Sequence, residues 1–271
     1  MEEFKFDPVD GWEDVSEFPT TPADETATRT LFQKLYNQIR DFINTKIVAG
    51  HNAHLADYAS SAAKTYYIDA ANGNDNNDGL TAGTAFKTWA KTVGLIPVFI
   101  NHQYKVKIIG NLSVDINLTG KYSHYGSDGL IIEGNTTTPS NQVLSGNLRV
   151  KMCSGVGGNG IIIRNLNLSG AVSVYSTTGL TIDNCEPRNA GGTAIFVESS
   201  LMQIQNCDFG TDVVQDAISI SRCSTVFSNN NTGNATRYGL TAGHTSTLGK
   251  SGTQPTGTTT NENTYYGGVI R

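Results

Sequence analysis

The sequence predicts a mainly β protein, a parallel β-helix of about six coils, on three observations. One pattern recurs between residues 160 and 231, as IIIRNLNL (161–168), LTIDNCEP (180–187), MQIQNCDF (202–209) and TVFSNNNT (225–232). Within each copy apolar residues alternate up to an Asn and change phase after it. The composition, finally, is polar without being charged: of 271 residues only 16% are Asp, Glu, Lys or Arg, against 25 Asn, 32 Thr and 29 Gly.

Aligned on Asn165, Asn184, Asn206 and Asn229, the copies step by 19, 22 and 23 residues. Four places before the Asn stand Ile161, Leu180, Met202 and Thr225; two before stand Ile163, Ile182, Ile204 and Phe227. One place after stand Leu166, Cys185, Cys207 and Asn230. Alternation of period two is strand, and the phase change at Asn marks a bend, because Asn tolerates the left-handed conformation. A unit of this length cannot bury its apolar face alone and must stack on its neighbours. The pattern extends backwards to LIIEG (130–134) and VKIIGN (106–111), with Gly134 and Asn111 at the bend. Second strands follow as AVSVYS (171–176), TAIFVES (193–199) and AISIS (217–221), and the excursion at 135–158 reads as a surface insertion.

Taken in order, residues 1–20 lack periodicity and read as an acidic extended arm, with Trp12 and Phe18 either anchors against a partner or exposed linker aromatics. Nine acids stand in the first 30 residues against Lys5 and Arg29. Thr21 and Pro22 open a helix with Asp24 and Glu25 in its first turn, where negative charge suits the dipole. Phe32, Leu35, Ile39 and Phe42 form its seam at heptad spacing. Residues 1–64 are thus an arm, either a solvated leader or a segment that docks on a basic partner, and a helix that is either a self-association seam or plainly amphipathic. Residues 65–105 read as a cap on the solenoid: the strand YYID, a polar loop, then a short helix with Phe86, Trp89 and Val93 on one face. The solenoid occupies 106–246. The segment 247–271 reads as a tail, either disordered or covering the far end against neighbouring chains.

Several function classes are excluded or disfavoured. A net charge of −5 argues against nucleic acid. No apolar run is long enough for membrane insertion, and MEEFKF does not open a signal peptide. No metal is expected: His51 and His54 lack further ligands, and NGNDNNDGLT places Ala85 where a calcium loop needs Glu. No cofactor is expected either, since GHTSTLGKS (243–251) departs from the phosphate-loop spacing. Cys185 and Cys207 read as small buried thiols, and Cys153 and Cys223 have no metal or disulfide pattern, which fits synthesis in a reducing cytoplasm.

The entrance YYIDAANGNDNNDGLTAGTAFKTWAK, the Asn-marked coils and the ending TLGKSGTQPTGTTTNENTYYGGVIR together resemble a bacteriophage tail fibre or tailspike with a pectate-lyase-like right-handed β-helix. The arm and helix (4–47) are similar to the virion-attachment segments of such fibres. The resemblance covers most of the chain and implies a homotrimer, a place in the virion tail, other tail or baseplate proteins as partners of the arm, and recognition of a bacterial cell-surface polysaccharide. Host adsorption is the function it implies. A structural spacer without receptor binding, and a tailspike depolymerase acting as glycoside hydrolase or lyase, are the alternatives.

For the adhesin, Tyr122, Tyr125, Tyr175 and Tyr238, with Tyr265 and Tyr266, are the candidate sugar platforms. For the depolymerase, the positions two after the bend matter: Asn167, Glu186, Asp208 and Asn231. Coils stack about 4.8 Å apart, so Glu186 and Asp208 are expected as neighbouring carboxylates, the arrangement a retaining glycosidase uses. Asp212 and Asp216 are further acids, and Arg164 and Asp183, matched one place before the bend, are expected to pair across coils.

Overall fold

The computed structural model describes residues 25–48, 59–124, 129–134, 138–155, 160–211 and 214–271. The chain divides into two units, 1–55 and 56–271. In the first, helix α1 spans Glu25–Phe42 and continues as a wider π turn over Ile43–Val48. The arm, Thr21, Pro22, His51, His54, Tyr125 and Asp212 lie outside the described residues, as do the side chains of Phe32 and Leu35. Of the seam, Phe42 is half-buried and Ile39 is 46% exposed. Tyr36, Ile43 and Ile47 are exposed as well, so α1 carries apolar side chains that its own unit leaves uncovered.

The second unit is a β-solenoid of about seven turns, one more than the sequence pattern suggests. Its first sheet is a ladder of parallel strands running in chain order from Lys64–Asp69 through Tyr104–Ile109, Leu130–Gly134, Ile161–Arg164, Thr178–Asp183, Leu201–Gln205, Thr225–Asn229 and Thr247–Ser251 to Val269–Ile270. A second, seven-stranded sheet runs from Ile116–Thr119 through Leu148–Lys151, Val172–Tyr175, Thr193–Glu198, Asp216–Ser221 and Tyr238–Gly243 to Thr260–Tyr265. Two three-stranded ribbons, one centred on Asn167–Leu168 and one on Thr232–Ala235, form the third side. The extra turn comes from the ends. Lys64–Asp69, read as part of a cap, is already the first rung, and the segment 247–271, read as a tail, supplies the last ones.

Register stacks like on like. Tyr66, Val106, Ile132, Ile163, Ile182 and Ile204 form one inward column, each paired with the next. All are buried, and each fully buried aliphatic side chain contributes about 1.5–3 kcal/mol. The column then turns polar at Ser228 and Lys250, while in the second sheet Leu240 is followed by Glu262. Lys250, on the next-to-last strand of the first sheet, and Glu262, on the last strand of the second, form an ion pair.

At the other end Trp89, in helix α2 (Trp89–Leu95), is buried in the core. Its Nε1 donates to the carbonyl of Asn117 at 3.3 Å, on the outermost strand of the second sheet. The loop before it is held by its own acids. Asp75 accepts the N–H groups of Lys87 and Thr88 and the Thr88 hydroxyl at 2.8–3.0 Å, and Asp78 accepts the Leu80 N–H and the Thr84 hydroxyl. Gly79 is required twice over: its φ is 69°, and a Cβ there would lie 2.1 Å from the buried Phe86 ring. Among the described residues no group of His, Cys, Asp and Glu is placed to hold a metal ion.

The Asn bends hold for three coils and slip in the fourth. Asn165, Asn184 and Asn206 have φ of 60°, 46° and 53°, but the fourth left-handed residue is Asn230 at 50°, and Asn229 ends a strand. The true last step is therefore 24 residues, and Val226 and Ser228, not Thr225 and Phe227, face inward. Asn231 thereby takes the place of Cys185 and Cys207. Fully buried, its Nδ2 donates to the Ile204 carbonyl at 2.9 Å and to the Ser228 hydroxyl at 2.8 Å, and its Oδ1 accepts the Cys207 N–H at 2.9 Å. A buried amide is tolerated there because these partners satisfy it.

Candidate functional site

The two carboxylates proposed by position do become neighbours, with Arg188 between them. The register sets Asn167 opposite Glu186 and Asp208 opposite Thr232, the fourth member that the slipped coil supplies in place of Asn231. Arg188 Nη2 lies 2.8 Å from Asp208 Oδ2 and 3.7 Å from Glu186 Oε2, and Nη1 donates to the Asp208 backbone carbonyl. Asn167 Nδ2 donates to Glu186 at 3.0 Å. Burial pushes the Asp208 carboxyl up, but the Gly210 N–H, the Arg188 guanidinium and the Thr232 hydroxyl outweigh it and hold the group below the ordinary carboxylate range. A general acid needs the opposite displacement. What this arrangement does chemically is clamp two coils.

Asp216 is likewise engaged. It is buried and accepts from Arg237 Nε at 2.8 Å, with Arg237 Nη2 and the Thr193 hydroxyl also on it. Arg164 and Asp183 are register partners as expected, yet they do not pair with each other. Arg164 binds Glu133 at 2.8 Å, one rung the other way, where Lys105 and Lys107 approach the same buried carboxylate at 3.6 and 3.8 Å. Asp183 instead accepts Asn206 Nδ2 at 2.8 Å. The larger, fixed guanidinium fork went to the more deeply buried acid.

The thiols are inert where they are inward. Burial pushes Cys185 up to about 12 and Cys207 well above the ordinary thiol range. Cys153 is buried too, and Cys223 is exposed at a corner. All four are free.

The tyrosines fall on separate surfaces. Tyr122 packs on Phe99 (5.7 Å between centroids) on a short rail beside the first sheet. Tyr175 and Tyr238 belong to the second sheet, Tyr175 between Phe196 (6.1 Å) and the Lys151 ammonium (5.3 Å), Tyr238 under the Arg237 guanidinium (4.9 Å). Tyr265 and Tyr266 join His244 in a three-ring cluster with centroids 5.0–5.5 Å apart at the end of that same sheet.

The second sheet thus has an outer face that the tyrosines alone did not disclose. Phe196, Ser219, Thr241 and Asn263 are register partners in one row, with Glu198 and Ser221 paired alongside. Their inward neighbours Ile195, Ile218 and Leu240 sit in the core, so by strand alternation this row points out. The signal is in the sequence, where AIFVES, AISIS, GLTAG and NENTY carry these positions at steps of 23, 22 and 22, but no recurrent Asn marks them as it marks the bends. No protein-family model, no curated protein and no solved structure matches this chain.

Proposed function

We propose that this chain is a component of a bacteriophage tail fibre, which adsorbs to the host by binding a bacterial cell-surface glycan. The observation that carries the reading is the outer face of the second sheet, where neutral hydroxyl and amide side chains stand between half-buried and exposed aromatic rings on a rigid parallel ladder. Sugars present many neutral donors and acceptors and an apolar ring face, and such a surface matches both. The solenoid winds right-handed on this reading, the hand nearly all parallel crossovers take. The exposed apolar residues Tyr36, Ile39, Ile43 and Ile47 of the first unit support homotrimerisation through that segment, and the acidic arm docks on other tail or baseplate proteins. The virion tail is then its location after synthesis in the host cytoplasm.

The depolymerase reading is weaker, because Arg188 ties up Glu186 and Asp208. Sedimentation of the full chain with a panel of bacteria, before and after chemical removal of wall polysaccharide, tests the adhesin. Binding that disappears on stripping is expected. Binding to no strain, or binding indifferent to stripping, leaves the spacer as the better account.

A further inference from the structure

Three residues on the outer face of the second sheet are more deeply buried than outward-pointing residues ordinarily are: Ser219 is 8% exposed, Ser221 6% and Thr241 5%. They are small side chains between large ones. On one side stands Phe196, in the neighbouring strand, packed on Tyr175. On the other stands Tyr265, whose ring lies over Gly243; a Cβ at 243 would come within 2.2 Å of a ring carbon, so the glycine is what lets the ring lie there. The strands of Phe196 and Tyr265 are three rungs apart, roughly 14 Å at the usual inter-strand spacing. The small residues therefore floor a depression with an aromatic wall at each side.

Two further features point to a ligand. Among the described residues the buried Thr241 Oγ has no hydrogen-bond partner, which is rare for a buried hydroxyl in a native fold. Tyr266, by contrast, is 77% exposed although it is held in place, its ring stacked on His244 at 5.0 Å and edge-on to Tyr265 at 5.5 Å. His244 is itself fixed by the hydrogen bond between its Nδ1 and the Ser221 Oγ at 3.0 Å. An exposed aromatic ring on a rigid mount on the same sheet as an unpartnered hydroxyl is the pairing of apolar platform and polar handle that small-ligand sites use.

Charge narrows the ligand class. The one ionised group on the floor is Glu198, and its partner is Arg222 at the rim. The pair sums to zero, and Lys151 is drawn to the Tyr175 ring outside the Phe196 wall, so an anionic group set beside Glu198 would be desolvated without compensation.

We infer that the depression between Phe196 and Tyr266 is a subsite for an uncharged hexopyranose unit, with the Tyr266 ring under the apolar face of the sugar and the hydroxyls of Thr241 and Ser221 toward its hydroxyl groups. This deepens the adhesin reading and rests on it. Because the Thr241 Oγ is buried, its engagement requires a neighbouring side chain to shift.

The test uses the full chain, polysaccharide released from the wall of a strain that it sediments with, and three variants. Tyr266→Ala removes the exposed platform; Thr241→Val removes the orphan hydroxyl at constant shape; Phe227→Ala alters an exposed ring on the other sheet. Circular dichroism and thermal melting check folding. Expected are a loss of affinity of tenfold or more for Tyr266→Ala, roughly fivefold for Thr241→Val with unchanged or higher Tm, and none for Phe227→Ala. Glucose and galactose tetrasaccharides should compete, and a galacturonate tetrasaccharide should not. If the wild type binds the polysaccharide and both Tyr266→Ala and Thr241→Val bind as well as it does, the subsite is wrong and the adhesin reading survives. Competition by the acidic tetrasaccharide alone overturns the assignment to an uncharged sugar. A wild type that binds no wall polysaccharide removes both.

Discussion

Asn184 illustrates what a single position contributes to the solenoid. Its backbone sits at φ 46° and its Nδ2 donates to Asn165 Oδ1 at 2.9 Å, so it both turns the chain and ties two coils. Asn184→Ala keeps neither advantage and should destabilise by about 1–2 kcal/mol, whereas Asn184→Gly, which relieves the backbone strain, should cost less. Urea unfolding midpoints check the order. The thiols give a chemical test. Iodoacetamide at pH 8 should modify Cys223 alone in the folded protein and all four cysteines after unfolding. Because burial raises the Cys185 thiol to about 12, its contribution is fully present below the ordinary thiol value of 9.0. It is lost as the pH rises from there toward 12, where the unfolded chain ionises first. Asp208 has the opposite sign. Held low by Gly210 and Arg188 against its burial, it stabilises above the ordinary carboxylate value and ceases to do so as pH falls through its depressed one.

At the scale of one strand, the fourth coil decides between two registers. Alignment on Asn229 turns Phe227 inward; the ladder turns Val226 inward instead, opposite Met202, and leaves Phe227 45% exposed. Val226→Ala should therefore cost about 1–3 kcal/mol and Phe227→Ala no more than about 0.5 kcal/mol. Thermal melts of the two variants separate the registers, and a larger effect at Phe227 would restore the first. Helix α1 poses the same kind of question about an apolar face. If Ile39, 46% exposed within the chain, packs between copies, Ile39→Glu should shift sedimentation equilibrium from three times the monomer mass toward one. A wild type already monomeric at micromolar concentration would end the trimer proposal.

For the solenoid as a whole, the open question in any stack of coils is what happens at its ends. At the first end Trp89 joins the core and bonds the outermost strand of the second sheet. Toward the last rungs, inward positions that are Ile and Leu in earlier coils become Lys250, on the next-to-last strand of the first sheet, and Glu262, on the last strand of the second, which meet in an ion pair. Exposed pairs of this kind add little stability. Their effect is to replace apolar surface that would otherwise recruit another sheet edge. Lys250→Leu combined with Glu262→Leu should leave Tm nearly unchanged and promote association, measured by light scattering against concentration.

The sequence by itself determined the class of fold, the strand period, the bends at Asn165, Asn184 and Asn206 and the inward columns, because a repeat of fixed period repeats its physics, whereas the bend read at Asn111 falls on Gly110, at φ 72°. It also set Glu186 and Asp208 on adjacent coils, where Arg188 Nη2 lies 3.7 Å from the first carboxylate and 2.8 Å from the second. Three matters were decided only in the folded chain. Asn230 won the fourth corner over Asn229 because Val226 could then enter the core and Asn231 could satisfy its amide there, a choice that a run of three Asn leaves open. Arg188 settled between two acids, and Arg164 turned to Glu133 rather than Asp183, since side-chain reach and burial rather than register select the partner of a guanidinium. The face from Phe196 to Tyr266 exists only where four coils lie side by side, and residues some 22 apart in the chain become neighbours across a single hydrogen-bonded rung.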